Sequence, residues 1–475
     1  MTNSTAVPNP TGGAGDRRCA MQPALHDNLM QAVLAPENMQ RAWKQVKSNK
    51  GAPGIDRISL QDFPAHATVH WPGIRQALID GSYCPQPVRQ VIIAKPGGGE
   101  RMLGIPTVMD RMIQQAIAQV LTPIFDPDFS ASSFGFRPRR SAHMAVRQVQ
   151  AHIEAGHRIA VDLDLAKFFD NVPHDILMAC IAKRIRDKRL LALIGRYLRA
   201  GIMVGEHYQP SEIGSPQGGP ISPLLSNILL DELDRELEKR GHRFVRYADD
   251  LLVLVKSERA GHRVKASLTK YLDRKLRLPV NEAKSQVAAI DACTFLGFTF
   301  RRNKLRWSDR AFADFKHQVR KLTGRSWGVS MAYRLTKLAQ YVRGWMGYFG
   351  ISQYYRPIPE LDEWLRRRVR MCYWKQWRLC RTKIANLVKL GVGLRSAIIT
   401  GVSSKSYWHL SRTPATQQAM SNAWLKAQGL ISSKHLVSTV IDFSGGMRLP
   451  QDYADFLVRR SATFQGRRSA TRLIG

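Results

Sequence analysis

Residues 246–253 read Arg-Tyr-Ala-Asp-Asp-Leu-Leu-Val, two adjacent carboxylates between apolar runs. That pattern leaves the chain few ways to fold locally. The flanks from Phe244 to Val255 have the β-branched and aromatic content of strands, and Tyr247–Asp250 supplies the turn between them. Burying two neighbouring carboxylates without a counter-charge is costly, so the tip either opens to water or takes a cation. Asp-Asp is also common in plain solvated turns, and these residues alone leave both readings open.

A second element bears on the choice. Asp162-Leu163-Asp164-Leu165-Ala166-Lys167-Phe168-Phe169-Asp170 ends the extended run Arg158–Leu165 in alternating carboxylates. If that strand lies beside the hairpin, Asp164 meets Asp249 and Asp250. Three carboxylates can hold two Mg²⁺ ions about 3.5–4 Å apart, an arrangement suited to nucleotidyl transfer. Asp162 and Asp170 are expected to be structural instead, capping or pairing with nearby cations.

Charge says what partner to expect. The chain has 475 residues, enough for two or three domains, with 72 Lys and Arg against 37 Asp and Glu and a formal charge of +35. Self-repulsion of that size favours a polyanionic partner, setting aside a small-metabolite enzyme and placing nucleic acid ahead of an anionic membrane surface. No stretch approaches about 18 uninterrupted apolar residues. Met1–Ala20 is polar and has no secretory apolar run, so no membrane partner is expected. Cys19, Cys84, Cys180, Cys293, Cys372 and Cys380 form no C-x-x-C pair. Neither a disulfide framework nor a zinc site is expected, and a reducing, cytoplasmic setting fits.

The basic excess is uneven. Arg301–Leu390 holds 22 Lys or Arg and 5 acidic residues, and eight of the ten tryptophans fall between Trp307 and Trp424. A domain boundary is therefore expected near Arg301–Asp309. Upstream, helix and strand patterns alternate. Asn38–Asn49 is amphipathic, Val88–Ala94 and Arg101–Ile105 form a hairpin around a Gly-rich connection, and Asp110–Leu121 and Leu224–Lys239 are helical. Thr294–Phe300 reads as a further strand.

Tyr247-Ala248-Asp249-Asp250 and Asp164–Asp170 resemble the palm motifs of reverse transcriptases, and most of all those of bacterial group II intron reverse transcriptase/maturases. Further blocks agree in order: Asn49–Asp56, Leu103–Val108, Ser133–Pro138, Pro216–Leu225, Asn281–Ser285 and Phe295–Phe298. The resemblance runs from about Asn38 to Leu436. It implies an RNA-directed DNA polymerase whose catalytic carboxylates are Asp164, Asp249 and Asp250. With Leu165 these would hold two Mg²⁺ ions, Mn²⁺ being a possible substitute.

The same resemblance implies dNTP contacts. Lys95 and Arg101 correspond to residues gripping the triphosphate, although two cations around a Gly-rich tip also describe a solvated loop. Phe169 falls where the family places a gate against the 2′-hydroxyl, and it reads equally well as core. Gln217 and Gly218 resemble the loop against nucleotide and template base; glycine allows such close backbone approach. Lys284 resembles the lysine near the leaving pyrophosphate, and is otherwise a plain surface Lys.

The basic half resembles the family's thumb and maturase region through Leu338–Gly350, Trp364–Arg370 and Trp374–Arg378. Arginines at 366, 367, 368 and 370 surround much of a helical turn, and Arg suits both phosphate and stacked bases. RNA contacts are expected at Arg343, Arg366, Arg367, Arg368, Arg370, Lys375 and Arg378, with most tryptophans in the helical core. Leu410–Leu425 resembles the end of these maturases. Many relatives continue into an HNH-type nuclease domain, whose Cys and His spacing is absent here, so second-strand cleavage by this chain is not expected. Ser438–Gly475 has no recognised pattern.

The expected fold is α+β: a right-hand polymerase with fingers and palm on an antiparallel sheet, an α-helical thumb and a small helical C-terminal module. The expected division is a disordered N-terminal tail 1–30, fingers and palm 31–308, an RNA-binding thumb/maturase domain 309–390, a nucleic-acid-binding helical C-terminal module 391–437 and a tail of unknown role 438–475. Expected partners are group II intron RNA, an RNA template with DNA primer or target, and dNTPs. The expected roles are polymerisation, assisted splicing and intron mobility in the bacterial cytosol. A splicing factor without catalysis, or a reverse transcriptase recruited to host defence, are the competing readings.

Overall fold

The structure is a computed structural model that describes residues 26–94, 100–215, 218–354 and 356–433. Its strands, in chain order, are β1 Val88–Ala94, β2 Glu100–Ile105, β3 Ile159–Leu163, β4 Ile202–Val204, β5 His207–Gln209, β6 Arg243–Tyr247, β7 Asp250–Val255, β8 Gln286–Ala289, β9 Phe298–Arg301 and β10 Lys304–Trp307.

Leu251 to Val255 is apolar at every position, the pattern of a strand covered on both faces. β7 is such a strand, lying inside an antiparallel sheet of order β6-β7-β3-β8. Val161, Leu163, Leu251, Val253 and Val255 pack one face of this palm sheet into a core shared with helices Val108–Phe125, His174–Ala182 and Ser222–Lys239. Ala160, Val245, Leu252 and Leu254 pack the other face against helix Ala142–Glu154 and the β9–β10 hairpin.

The fingers strands are paired as expected, from Arg89 with Ile105 to Ala94 with Glu100. They are not an isolated hairpin. β4 adds in parallel to β1 at Val88–Ile202, and β5 extends the sheet to the order β2-β1-β4-β5. β4 and β5 have three residues each, too short for a period-2 pattern to reveal.

Beyond β10 the described residues form helices and their connections, without further strands. Asp309–Leu322, Met331–Phe349 and Pro357–Gln376 surround a core containing Trp307, Phe315, Trp345, Leu365 and Val369. Trp374 is fully buried, in a smaller cluster with Leu387, Val392, Ala397 and Leu410. The tryptophans at 307, 345 and 374 are thus core residues. Met420, Leu425 and Leu430 belong to the same core as Trp307. The helical region also seats on the palm: His143 Nε2 lies 2.7 Å from the Tyr348 carbonyl, and Phe349 packs beside Gly297. Among the described residues, no helix is long and apolar enough to cross a membrane.

Candidate active site and nucleic-acid surface

The β3–β7 register pairs Leu163 with Leu251, and Tyr247 with Asp250 closes the β6–β7 hairpin around Ala248 and Asp249. Continuing the antiparallel register by one residue places Asp164 opposite Asp250. Three backbone attachments fix Asp164. Its N–H donates to Ser285 Oγ at 3.0 Å, its carbonyl accepts from Asn281 N at 2.8 Å, and Ala166 N donates to the Pro279 carbonyl at 2.8 Å. Leu165 forms a bridge with Val280. The Asn281–Ser285 turn thus buckles onto the strand end and carries Lys284 Nζ to 3.7 Å from Asp164 Oδ2.

The turn itself is strained. Ala248 adopts φ +58°, a left-handed conformation that a non-glycine residue takes at a cost. Its surroundings hold it there. Arg246 Nη1 donates to the Ala248 carbonyl at 2.9 Å and to Asn227 Oδ1 at 3.0 Å. The remaining guanidinium nitrogens bind Asp234, with Nε 2.8 Å from Oδ1 and Nη2 2.5 Å from Oδ2. Arg246 is 1% exposed and Asp234 is 0% exposed. Gly135 lies against the turn so tightly that a Cβ there would sit 2.2 Å from Ala248 N. Asn227 Nδ2 donates to the Gly135 carbonyl at 2.9 Å, completing the cradle. Arg246, Asp234, Asn227 and Gly135 were not among the sequence candidates. The available signal was a cation inside an apolar flank, which burial permits only with a partner.

The carboxylates present hard oxygen donors, the chemistry a divalent cation of the Mg²⁺ class takes. Among the described residues no three His, Cys, Asp or Glu side chains converge to hold a metal ion. The backbone therefore brings the expected strand ends together without a closed ligand cage. Asp162 lies two residues upstream, hydrogen-bonded to the Gln286 side chain, and burial raises its carboxyl above the ordinary value. Asp170 is exposed, and its N–H bonds the Lys167 carbonyl at 2.8 Å.

Phe169 is half-buried, packed on the palm core and edge-on to Phe168 at 5.2 Å. Its carbonyl accepts from Ser215 N at 2.7 Å. Gly218 has φ +127°, and a Cβ there would meet the Gly104 carbonyl oxygen at 2.6 Å. Glycine is required by this contact with β2, whatever else approaches the loop. Lys95 and Gln217 lie outside the described residues, and Arg101 is placed only through its backbone pairing with Ile93.

The arginines on helix Pro357–Gln376 are engaged within the protein to different degrees. Arg370 is 6% exposed and donates to the Met420 carbonyl at 2.9 Å and Asn422 Oδ1 at 3.3 Å. Arg368 binds Thr323 Oγ1 at 2.6 Å and the carbonyls of Thr323 and Arg320 at 3.2 Å. Arg367 donates to the Trp408 carbonyl at 3.1 Å, its guanidinium 3.8 Å from that ring's centre. Arg368 and Arg370 thus both bond within the protein; Arg370 is buried, whereas Arg368 is half-buried like Arg367. Arg366 is half-buried, while Arg343, Lys375 and Arg378 are exposed.

Comparison with known proteins agrees with this geometry. Residues 93–300 match the family described as reverse transcriptase (RNA-dependent DNA polymerase), and residues 312–391 match the group II intron maturase-specific domain. The chain belongs to the group II intron reverse transcriptase/maturases. It is accordingly an RNA-directed DNA polymerase by class, and reverse transcriptase domains use divalent metal ions.

Protein YkfC of Escherichia coli (strain K12) is 33% identical over 333 residues, spanning 61% of this chain and 87% of that protein. The group II intron-encoded protein LtrA of Lactococcus lactis subsp. cremoris is 35% identical over 275 residues, spanning 54% of this chain and 45% of LtrA. An uncharacterized 91 kDa protein in a cob intron of Schizosaccharomyces pombe is 36% identical over 205 residues, spanning 43% of this chain and 25% of that protein. The matched part of this reverse transcriptase/maturase thus spans less than half of the latter two relatives.

Proposed function

We propose that this chain copies RNA into DNA at the β3–β7 strand ends and binds its own group II intron RNA, assisting splicing and mobility. The observation that carries the catalytic part is the register that sets Asp164 opposite Asp250, with Lys284 beside Asp164. Asp164, Asp249 and Asp250, with the Leu165 carbonyl, would hold two Mg²⁺ ions, and bound there the ions supply charge neutralisation at the attacking 3′-hydroxyl and the triphosphate. The protein's own task is positioning, the larger part of catalysis in phosphoryl and nucleotidyl transfer. Arg246 and Gly135 hold the turn carrying Asp249 and Asp250, and the Asn281–Ser285 buckle holds Asp164. Lys284, beside Asp164, would donate a proton to the leaving pyrophosphate. Lys95, Arg101, Gln217 and Gly218 would face the incoming dNTP, and Phe169 would screen its 2′ position.

For RNA we propose contacts through Arg343, Arg366, Arg367, Arg368, Lys375 and Arg378, the members of the basic set whose side chains are exposed or half-buried. The setting that fits is the bacterial cytosol. The test is dNTP incorporation on an RNA template with a DNA primer, with and without Mg²⁺, alongside binding of the intron RNA. Incorporation that persists in EDTA would overturn the metal assignment. Failure to bind intron RNA more tightly than unrelated RNA would overturn the splicing part alone.

A further inference from the structure

The loop that backs the catalytic turn continues past Gly135 into Phe136-Arg137-Pro138-Arg139, where Arg137 alone is buried and its neighbours are exposed. Arg137 is buried and donates to Asp126 Oδ1 at 2.7 Å and to the carbonyls of Asp126 at 2.7 Å, Ser130 at 2.6 Å and Ser133 at 3.0 Å. Its guanidinium also lies 5.3 Å from the Phe129 ring centre. On either side of this anchor stand two left-handed non-glycine residues, Phe136 at φ +57° and Arg139 at φ +58°. Phe136 is 52% exposed, and Arg139 is exposed too.

Both features are unfavourable in the protein alone. A bulky residue at positive φ is strained, and a phenyl ring held in water gains little from burial. The anchor and Gly135 nonetheless fix the loop, with Gly135 in van der Waals contact with Ala248 of the catalytic turn. Strain held in place beside a reaction centre indicates a surface shaped for a ligand. An open aromatic face next to a guanidinium suits a nucleobase and its phosphate.

We infer that Phe136 and Arg139 contact the primer–template at the rim of the catalytic turn, the phenyl ring stacking on a base and Arg139 pairing with a phosphate. This rests on the polymerase reading above. The competing occupant, a protein surface covering the ring, is an outcome of the same test.

The experiment measures the affinity of the full chain for an RNA template annealed to a DNA primer, without dNTP, across a salt series. Phe136→Ala should weaken binding by about ten-fold, the loss of one base–aromatic stack, while Phe136→Tyr stays close to wild type. Phe136→Gly should weaken binding equally but leave the melting temperature no lower than wild type, because glycine adopts this φ freely. Arg139→Ala should reduce the salt slope by about 0.7–0.9, one phosphate's share. Wild-type affinity in both Phe136→Ala and Phe136→Gly would overturn the inference and favour a protein occupant. So would a drop of several degrees in the melting temperature of Phe136→Gly, which would make the ring a packing element. A wild-type chain that binds no primer–template would instead overturn the polymerase reading, and this inference with it.

Discussion

Arg246→Met tests whether the buried clamp sets the geometry of the turn or merely the stability of the palm. The substitution leaves Asp234 at 0% exposure without the guanidinium that lay 2.5–3.0 Å from its oxygens. Breaking a buried ion pair from one side costs about 3–5 kcal/mol. In a domain of this size that lowers the melting temperature by roughly 10 °C. The deficit should depend on pH in a defined direction. Burial raises the Asp234 carboxyl from its ordinary value of 3.8, and Arg246 is what opposes that rise. With Arg246 gone, the folded chain holds the Asp234 proton more tightly than the unfolded chain. The associated stability is complete below the unfolded value and is lost as pH rises through the folded one, so the variant should be closer to wild type at pH 5 than at pH 8. Adding Asp234→Leu removes the orphaned charge and should recover most of the lost stability. The Ala248 carbonyl still lacks its donor in the double variant, so dNTP incorporation should remain low while RNA binding is normal. Differential scanning fluorimetry and primer extension read the two effects separately. Full activity in the double variant would refute the positioning role, and an unchanged melting temperature in Arg246→Met at pH 8 would refute the energetics.

Asp249→Asn or Asp250→Asn should cut incorporation by about a hundred-fold or more, given the several kcal/mol that metal ions supply, with intron RNA affinity kept; equal activity would remove the metal assignment. Lys284→Ala should lower kcat by about a hundred-fold or more while leaving KM for dNTP near wild type, and a change confined to KM would argue against proton donation. Arg378→Gln and Arg370→Gln should behave oppositely. The first reduces the salt slope of RNA binding by about one unit at constant melting temperature. The second destabilises by roughly 1–3 kcal/mol, because its buried carbonyl partner loses a charged donor, and leaves the slope alone. Gly218→Ala should destabilise by about 1 kcal/mol or more, since its Cβ meets the Gly104 carbonyl at 2.6 Å; an unaffected melting temperature would show that the loop relaxes freely.

The palm was legible because its signals are local. Five consecutive apolar residues from Leu251 and the Asp-Asp turn before them define β7 and the hairpin. The alternation of Asp162 and Asp164 marks the end of β3, and both strands fell where the pattern put them. Ser133–Pro138 was visible only as a block. Nothing in the six residues says that Gly135 must touch Ala248, more than a hundred positions on, or that Arg137 points inward. The short β4 and β5 escaped for a related reason, since a three-residue strand is specified by the neighbour it pairs with rather than by its own period.

Not all of the +35 charge lies on a surface open to a polyanion. Arg137, Arg246, Arg334 and Arg370 are all buried, and each donates to backbone carbonyls, Arg334 to those of Leu322 at 2.8 Å and Gly324 at 2.9 Å. Guanidinium carries five donors in a fixed fork, so one side chain can satisfy several carbonyls of an irregular loop that no helix or strand serves. In this chain the loops so held are those that shape the site and the helical core: the Phe136 loop, the catalytic turn, the 322–324 link and the Met420 segment. Arginine therefore does two jobs here, and composition counts them as one. The run at 366–370 divides between them within five residues, and the part of the charge that meets nucleic acid is the part left over when the loops have taken theirs.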